Sequence, residues 1–266
     1  EANFQYLLAW MAHGIQHPEI KPEVAVFLKS PEKGTGKSIV WLHYRAIFGQ
    51  HGIMLSNPEH VVGKFNAHLE DVIFLELSEA LWAGDKRAEG ILKSLITDNT
   101  FAVEHNGVNV RLAKNYLHLG GSSNNEWVVP ASTDERRFYV LDVSDERKQD
   151  TKYFKALTDS MDSGGREALL FHLQHLDIRA VDIRRAPQTE ALTEQKILSL
   201  DPRMRWFFEK LYEGALLDHH DGWFPEIDKE VLYQDYKAAM LAANIHRVKT
   251  PVEFGKFIHG LFNHLP

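Results

Sequence analysis

The chain has 266 residues, 44% of them hydrophobic, with a net charge of −7 and no cysteine. That is core enough for one or two domains, and it excludes disulfides and zinc–thiolate sites. No apolar run reaches the roughly 18 residues of a membrane span, no signal peptide opens the chain, and the acidic balance excludes a surface that coats nucleic acid over its whole extent. A cytoplasmic location is the natural expectation. The helical opening without Met reads as part of a longer protein.

Residues 4–17 set Phe4, Leu7, Leu8, Met11 and Ile15 at helical spacing, and Pro18 and Pro22 end that segment. Val24 to Leu28 is an apolar strand pattern that enters a glycine-bearing turn, followed by a helix ending near Phe48-Gly49. Residues 72–77 predict a second buried strand, and residues 86–96 a helix with Ala88, Ile91, Leu92, Leu95 and Ile96 on one stripe. Residues 100–119 alternate about Asn106-Gly107, a hairpin signal. Strands follow at 116–119 and 138–143, helices at 153–161 and 166–176, and a charged stretch broken by Pro187 reads as a linker over 179–193. Two more helices are predicted near 229–243 and 251–263, the second with Thr250 as N-cap and Pro251 as its first residue. Strands alternating with helices predict a mainly parallel α/β sheet followed by a helical C-terminal region. The expected division is an N-terminal helical segment (1–23), a P-loop core (24–145), a helical lid or linker (146–200) and a small helical or winged-helix-like domain (201–266).

The chemistry starts at Gly34-Thr35-Gly36-Lys37-Ser38 between strand and helix, the layout of a phosphate-binding P-loop. Glycines let backbone N–H groups converge on phosphate oxygens, Lys37 can reach the β- and γ-phosphates, and the Ser38 hydroxyl can ligate Mg²⁺. The chain therefore reads as a binder of ATP or a related triphosphate with Mg²⁺. Pro31 stands where the usual pattern has its first glycine. The strand at 72–77 runs into Ser78-Glu79, which suits a second nucleotide motif. Glu79 fits the group that activates the attacking water, with a contact to Mg²⁺ through water as a further expectation. Ser78 brings no charge where an Asp is usual, and Glu76, on the same strand face, is the substitute. An amide at Asn124, after Ser122-Ser123, can bond a γ-phosphate or the lytic water. Arg136 and Arg137 are candidates for an arginine finger, an effect worth about 10³–10⁵ in rate. Asp218-His219-His220-Asp221 reads as a polar loop rather than a metal site, and Arg184-Arg185 as linker surface.

Together, Gly34 to Ser38, Phe65-Asn66-Ala67-His68-Leu69, Glu79 to Lys86, Ser123-Asn124 with Trp127-Val128-Val129-Pro130, and Asp134-Glu135-Arg136-Arg137-Phe138 resemble the superfamily 3 helicases. These are AAA+ ring motors, and the likeness is nearest to the ATPase half of phage and prophage primase-helicases. It covers residues 5–145 well and the remainder loosely. The resemblance implies an AAA+ P-loop fold and a homo-oligomer, expected to be a hexamer, with ATP between subunits. Lys37 and Ser38 would hold phosphate and Mg²⁺, Glu79 would activate water, and Asn124 would sense the γ-phosphate. Arg136 or Arg137 would act across the subunit boundary. A hairpin would grip single-stranded DNA in a central channel, here with His105, Asn106, Arg111 and Lys114. A primase-polymerase domain in the same full-length protein and a bacterial host cytoplasm are further implications. The expected function is an ATP-dependent DNA helicase motor. Pro31 and Ser78 sustain the rival, an ATP-controlled initiator or assembly module without processive unwinding.

Overall fold

The computed structural model describes residues 1–63, 65–79, 86–104, 109–217, 222 and 226–262. The chain divides into two compact units, Glu1–Ser199 and Leu200–Pro266.

The first unit is built on a five-stranded sheet in which every pair is parallel: β1 (Ala25–Lys29), β2 (Gly52–Leu55), β3 (Phe74–Ser78), β6 (His118–Ser123) and β7 (Phe138–Asp142), in the order β2-β3-β6-β1-β7. The β6 strand lies between β1 and β3, with Lys29 opposite Ser123 and Ser122 opposite Ser78. Three strand ends thus finish side by side at one edge of the sheet, the place where α/β sheets bind ligands. Parallel strands are covered on both faces, so β1 is buried at all five positions.

Successive β1 residues face opposite layers. Val26 and Leu28 join Trp10, Trp41, Tyr44, Phe74 and Tyr139, under helices α1 (Ala2–Gln16), α2 (Lys37–Ile47) and α6 (Arg166–His175). Ala25 and Phe27 join Leu75, Leu77, Leu92, Leu119 and Leu192, against α3 (Glu59–Val62), α4 (Lys86–Thr97) and α7 (Glu190–Leu198). Gly121 in β6 is required by this packing, since a Cβ there would come within 2.6 Å of the Phe27 ring and 2.7 Å of the Leu77 carbonyl. The indole of Trp10 donates to the Val24 carbonyl (2.9 Å), and Tyr44 donates to the Met11 carbonyl (2.8 Å), fixing α1 on the sheet.

A separate antiparallel hairpin consists of β4 (Thr100–Val103) and β5 (Arg111–Lys114), with Thr100 opposite Lys114. Its tip, including His105 and Asn106, lies outside the described residues. Helix α5 (Thr151–Ser160) starts at an Asp150 cap and meets α6 through a π-turn in which Gly164 has φ +102°.

The linker expected over 179–193 is corrected in its second half. Thr189 caps α7 by accepting from Leu192 N–H, and it donates its hydroxyl to the Val140 carbonyl at 2.7 Å. Ala191, Leu192 and Gln195 are buried, so the segment is core. Strand β2 and helix α3 are likewise additions to the expected elements.

The second unit holds α8 (Pro202–Glu213), α9 (Lys229–Ala242) and α10 (Pro251–Phe262) around Trp206, Leu232, Tyr236, Met240 and Phe254. Thr250 and Glu253 form a reciprocal capping box, Thr250 N–H donating to Glu253 at 2.9 Å. No strand occurs in this unit among the described residues. Asp218 to Asp221 lies outside them. No helix of the described residues is long and apolar enough to cross a membrane.

Candidate nucleotide-binding site

Beyond Lys29 the chain turns through Gly34 (φ +75°) and Gly36 (φ +91°) before α2 begins at Lys37. A left-handed φ favours glycine at both places. The turn delivers the first backbone N–H groups of an eleven-residue helix, with its positive end, to the sheet edge. A cavity of about 440 Å³ lies there, lined by Gly34, Thr35, Gly36, Lys37, Ser38, Glu79, Ser122 and Asn124 among others. Three stretches far apart in sequence therefore meet in one concavity.

Lys37 is buried, and its ammonium donates to the carbonyls of Ser30 (3.3 Å) and Glu32 (3.1 Å), to the Thr35 hydroxyl (3.2 Å) and to the Asn124 side-chain carbonyl (2.9 Å). The Asn124 amide nitrogen in turn donates to the Glu79 carboxylate at 2.7 Å. Burial lowers the Lys37 pKa below the usual lysine range, and the Glu79 charge opposes that shift. Glu79 itself is exposed and holds φ +53°, with its N–H donated to the Ser122 carbonyl at 3.0 Å. A left-handed non-glycine residue at such a position costs about 1 kcal/mol or more. That conformation takes the backbone at Glu79 out of the line of β3.

Phosphate fits this cradle. For Mg²⁺, the donor set contains the exposed Ser38 hydroxyl and the Glu79 carboxylate, and the ion readily keeps waters and phosphate oxygens as its remaining ligands. Glu76 is placed elsewhere. It is 2% exposed and faces α2, where its carboxylate pairs with Arg45 at 3.3 Å, and it does not line the cavity. Burial raises its pKa, and Arg45 offsets part of the rise. Ser78 is half-buried opposite Ser122 and is also absent from the lining. The described residues contain no cluster of three or more His, Asp or Glu that could hold a metal.

Several residues at this edge escape sequence reasoning. Gln149 N–H donates to the Gly34 carbonyl (2.9 Å), Lys148 pairs with Glu32 (2.5 Å), and Phe154 is so near Gly36 that a Cβ there would approach its ring to 2.5 Å. A second cavity of about 560 Å³ shares Thr35, Gly36 and Lys37 with the first and is walled by Leu7, Val40, Tyr153 and Leu157. The guanidinium of Arg147 lies 4.9 Å from the Tyr153 ring centre. Gln195 is fully buried and holds the loop after Asn124, accepting from Val128 N–H (2.6 Å) and Val129 N–H (3.2 Å) and donating to the Glu126 carbonyl (2.8 Å).

Arg136 and Arg137 stand away from this pocket. They precede Phe138, which pairs with Ala25 at the start of β1, whereas the P-loop follows the end of β1. Arg137 is held by Glu135 at 3.1 Å, and Arg136 is exposed. On the hairpin, Arg111 is ion-paired with Glu70, and Lys114 is exposed.

A family model described as "Family of unknown function (DUF5906)" matches residues 28–137. No curated protein matches the chain. Among solved structures it is similar to "The apo structure of NrS-1 C terminal region (305-718)", at 18% identity and a TM-score of 0.66, over 81% of this chain and 51% of that one. It is also similar to "The A form apo structure of NrS-1 C terminal region-CTR", at 19% identity and a TM-score of 0.66, over 81% and 53%. The chain spans about half the length of these structures. At such identity the likeness establishes the fold, an α/β P-loop NTPase-like core with a mostly parallel sheet and a helical region.

Proposed function

We propose that this chain is the motor part of a replication helicase, hydrolysing ATP with Mg²⁺ between the subunits of a ring, expected to be a hexamer, and moving along single-stranded DNA. The observation that carries the reading is the Lys37–Asn124–Glu79 chain of hydrogen bonds across one cavity at the ends of β1, β6 and β3. A lysine for phosphate, an amide for the γ-phosphate and a carboxylate for water are the three parts a triphosphate hydrolase needs. Bound Mg²⁺ would neutralise charge on the phosphates, with Ser38 and Glu79 as the residues able to hold it. Glu79 would then orient and deprotonate water, and Asn124 would release Lys37 to the phosphates. The wider cavity beside Tyr153 and Phe154 suits a nucleobase, being largely apolar with polar groups at its margin.

Arg136 and Arg137 lie at the other end of the sheet from their own P-loop, which supports action on a neighbouring copy. The hairpin would offer Lys114 and Arg111, with His105 and Asn106 at the tip, to DNA phosphates. Single-stranded DNA is the expected partner, and a primase-polymerase domain in the full-length protein belongs to the same reading.

The placement of Glu76 favours a second reading. With that carboxylate committed to Arg45 and Ser78 uncharged, Glu79 is the one acid lining the cavity among the described residues. Slow hydrolysis would suit an ATP-controlled assembly module. Turnover measured against protein concentration, with and without single-stranded DNA, separates the two. A motor gives a rate per subunit that rises with concentration and rises again with DNA. Assembly on ATP without turnover, or turnover indifferent to both, rejects the motor.

A further inference from the structure

Arg184 and Arg185 carry the structure beyond that reading. A cavity of about 450 Å³ is lined by Arg136 and Arg137 together with Arg184, Arg185, Glu23 and Asp182. Four guanidinium groups face two carboxylates, on a chain whose net charge is −7. The acids hold two of the arginines: Arg184 pairs with Glu23 at 3.1 Å and Arg185 with Asp182 at 3.5 Å. The Arg185 side chain remains 87% exposed, and Arg136 is exposed with no ion-pair partner among the described residues. Ala25 N–H donates to the Arg137 carbonyl, which pins the cavity at the amino end of β1. Five residues of β1 separate it from the P-loop edge, a rise of about 13 Å. An anion in this cavity would be one that this copy's own Lys37 does not hold.

We infer that Arg184 and Arg185 join Arg136 and Arg137 in receiving the nucleotide phosphates of a second copy of this chain, so that the segment between α6 and α7 supplies trans-acting residues. The inference rests on the proposed ATPase reading and extends it to a segment outside the P-loop motifs. Convergence decides for a phosphate tail over a nucleic-acid strand. Guanidiniums from two distant stretches close on one concavity, as a compact polyanion requires, whereas a strand needs a row of cations along a track. The two carboxylates orient the arginines and would repel a long polyanion passing over them.

The test uses the full chain and an Arg184→Gln/Arg185→Gln double variant. Binding of a fluorescent ATP analogue is measured at low protein concentration, and ATP turnover at high concentration. The double variant should bind nucleotide as the wild type does and lose turnover by about 10- to 100-fold, the scale of lost charge-assisted bonds. Mixing it with Lys37→Ala subunits should restore part of the rate, because those subunits bring intact arginines to its nucleotide. An Arg179→Gln variant removes an exposed arginine of the same segment that does not line the cavity, and its turnover should stay within about twofold of wild type. Wild-type turnover in the double variant, weakened binding at low concentration, equal loss in the Arg179→Gln variant, or no recovery on mixing would each overturn the inference. A wild-type chain that neither binds nor hydrolyses ATP removes the reading beneath it instead.

Discussion

Lys37 directs its ammonium at four oxygens, and one of them belongs to Asn124, whose amide N–H is the group proposed to donate to the γ-phosphate. Incoming phosphate must take that place, and the freed Asn124 can then turn to the phosphate while releasing Glu79. Three substitutions separate these roles. Lys37→Ala should abolish ATP binding, and Glu79→Gln should keep binding while arresting turnover. Asn124→Ala should keep ADP affinity and lower kcat by about 100-fold, the scale of losing one aligned donor in a transition state. Equilibrium binding of ATP and ADP with single-turnover rates checks all three, and an Asn124→Ala protein with wild-type kcat would reject the sensing role. The residues of this chain are legible in sequence because each follows a strand or opens a helix, where local pattern fixes position. Gln149, Phe154 and the Glu76–Arg45 pair are not legible, since they depend on which elements the fold brings together.

At the scale of elements, parallel strands and their helices are announced by apolar runs and capping residues, and the expected α/β core is the one observed. Helix α7 is the instructive exception. Its charged, Pro-broken approach resembles a linker, yet Thr189 and Gln195 are buried because backbone groups of β7 and of the loop after Asn124 need partners. Nothing in a single sequence marks a glutamine as the satisfier of an N–H pair some 67 residues away. Gln195→Leu strands the buried Val128 and Val129 N–H groups and should cost about 2–6 kcal/mol, from about 1–3 for each of these two groups left without a bond. Gln195→Glu keeps the acceptor and should cost less in urea unfolding. Turnover should fall further than nucleotide binding in Gln195→Leu, because the freed loop adjoins Asn124. Equal stability of the two variants would show that the loop finds other partners.

Across the whole molecule, a histidine pair joins α1 to the middle of the sheet. His118 is fully buried, and its Nδ1 meets the Tyr116 carbonyl at 3.0 Å, so Nδ1 carries the proton and Nε2 accepts. His13 Nδ1 lies 3.4 Å from that Nε2 and is therefore the donor. The arrangement works only with both rings neutral. Burial lowers the His118 pKa to about 3, with His13 and Lys21 adding to the shift, and lowers that of His13 to about 4, with His17 adding. In the unfolded chain both titrate near about 6.5. The folded values are the depressed ones, so the stabilisation is complete above pH 6.5 and is lost as the unfolded state takes up protons that the native state refuses. Between pH 6 and 5 the pair should cost about 2 kcal/mol, each histidine contributing up to about 1.4 per unit. The buried Lys21, with its pKa lowered by burial to about 7, acts in a separate window, between its folded value and about 10.5. Urea midpoints measured at pH 7, 6 and 5 should fall for the wild type, and His13→Gln should remove about half of the fall. A midpoint in His13→Gln that drops as steeply as in the wild type would mean that the acid sensitivity comes from carboxylates such as Glu135, whose pKa is lowered despite burial by its bonds to Lys93 and Arg137. Those groups release their stabilisation at lower pH, around and below the ordinary carboxylate range, so the position of the fall identifies its source.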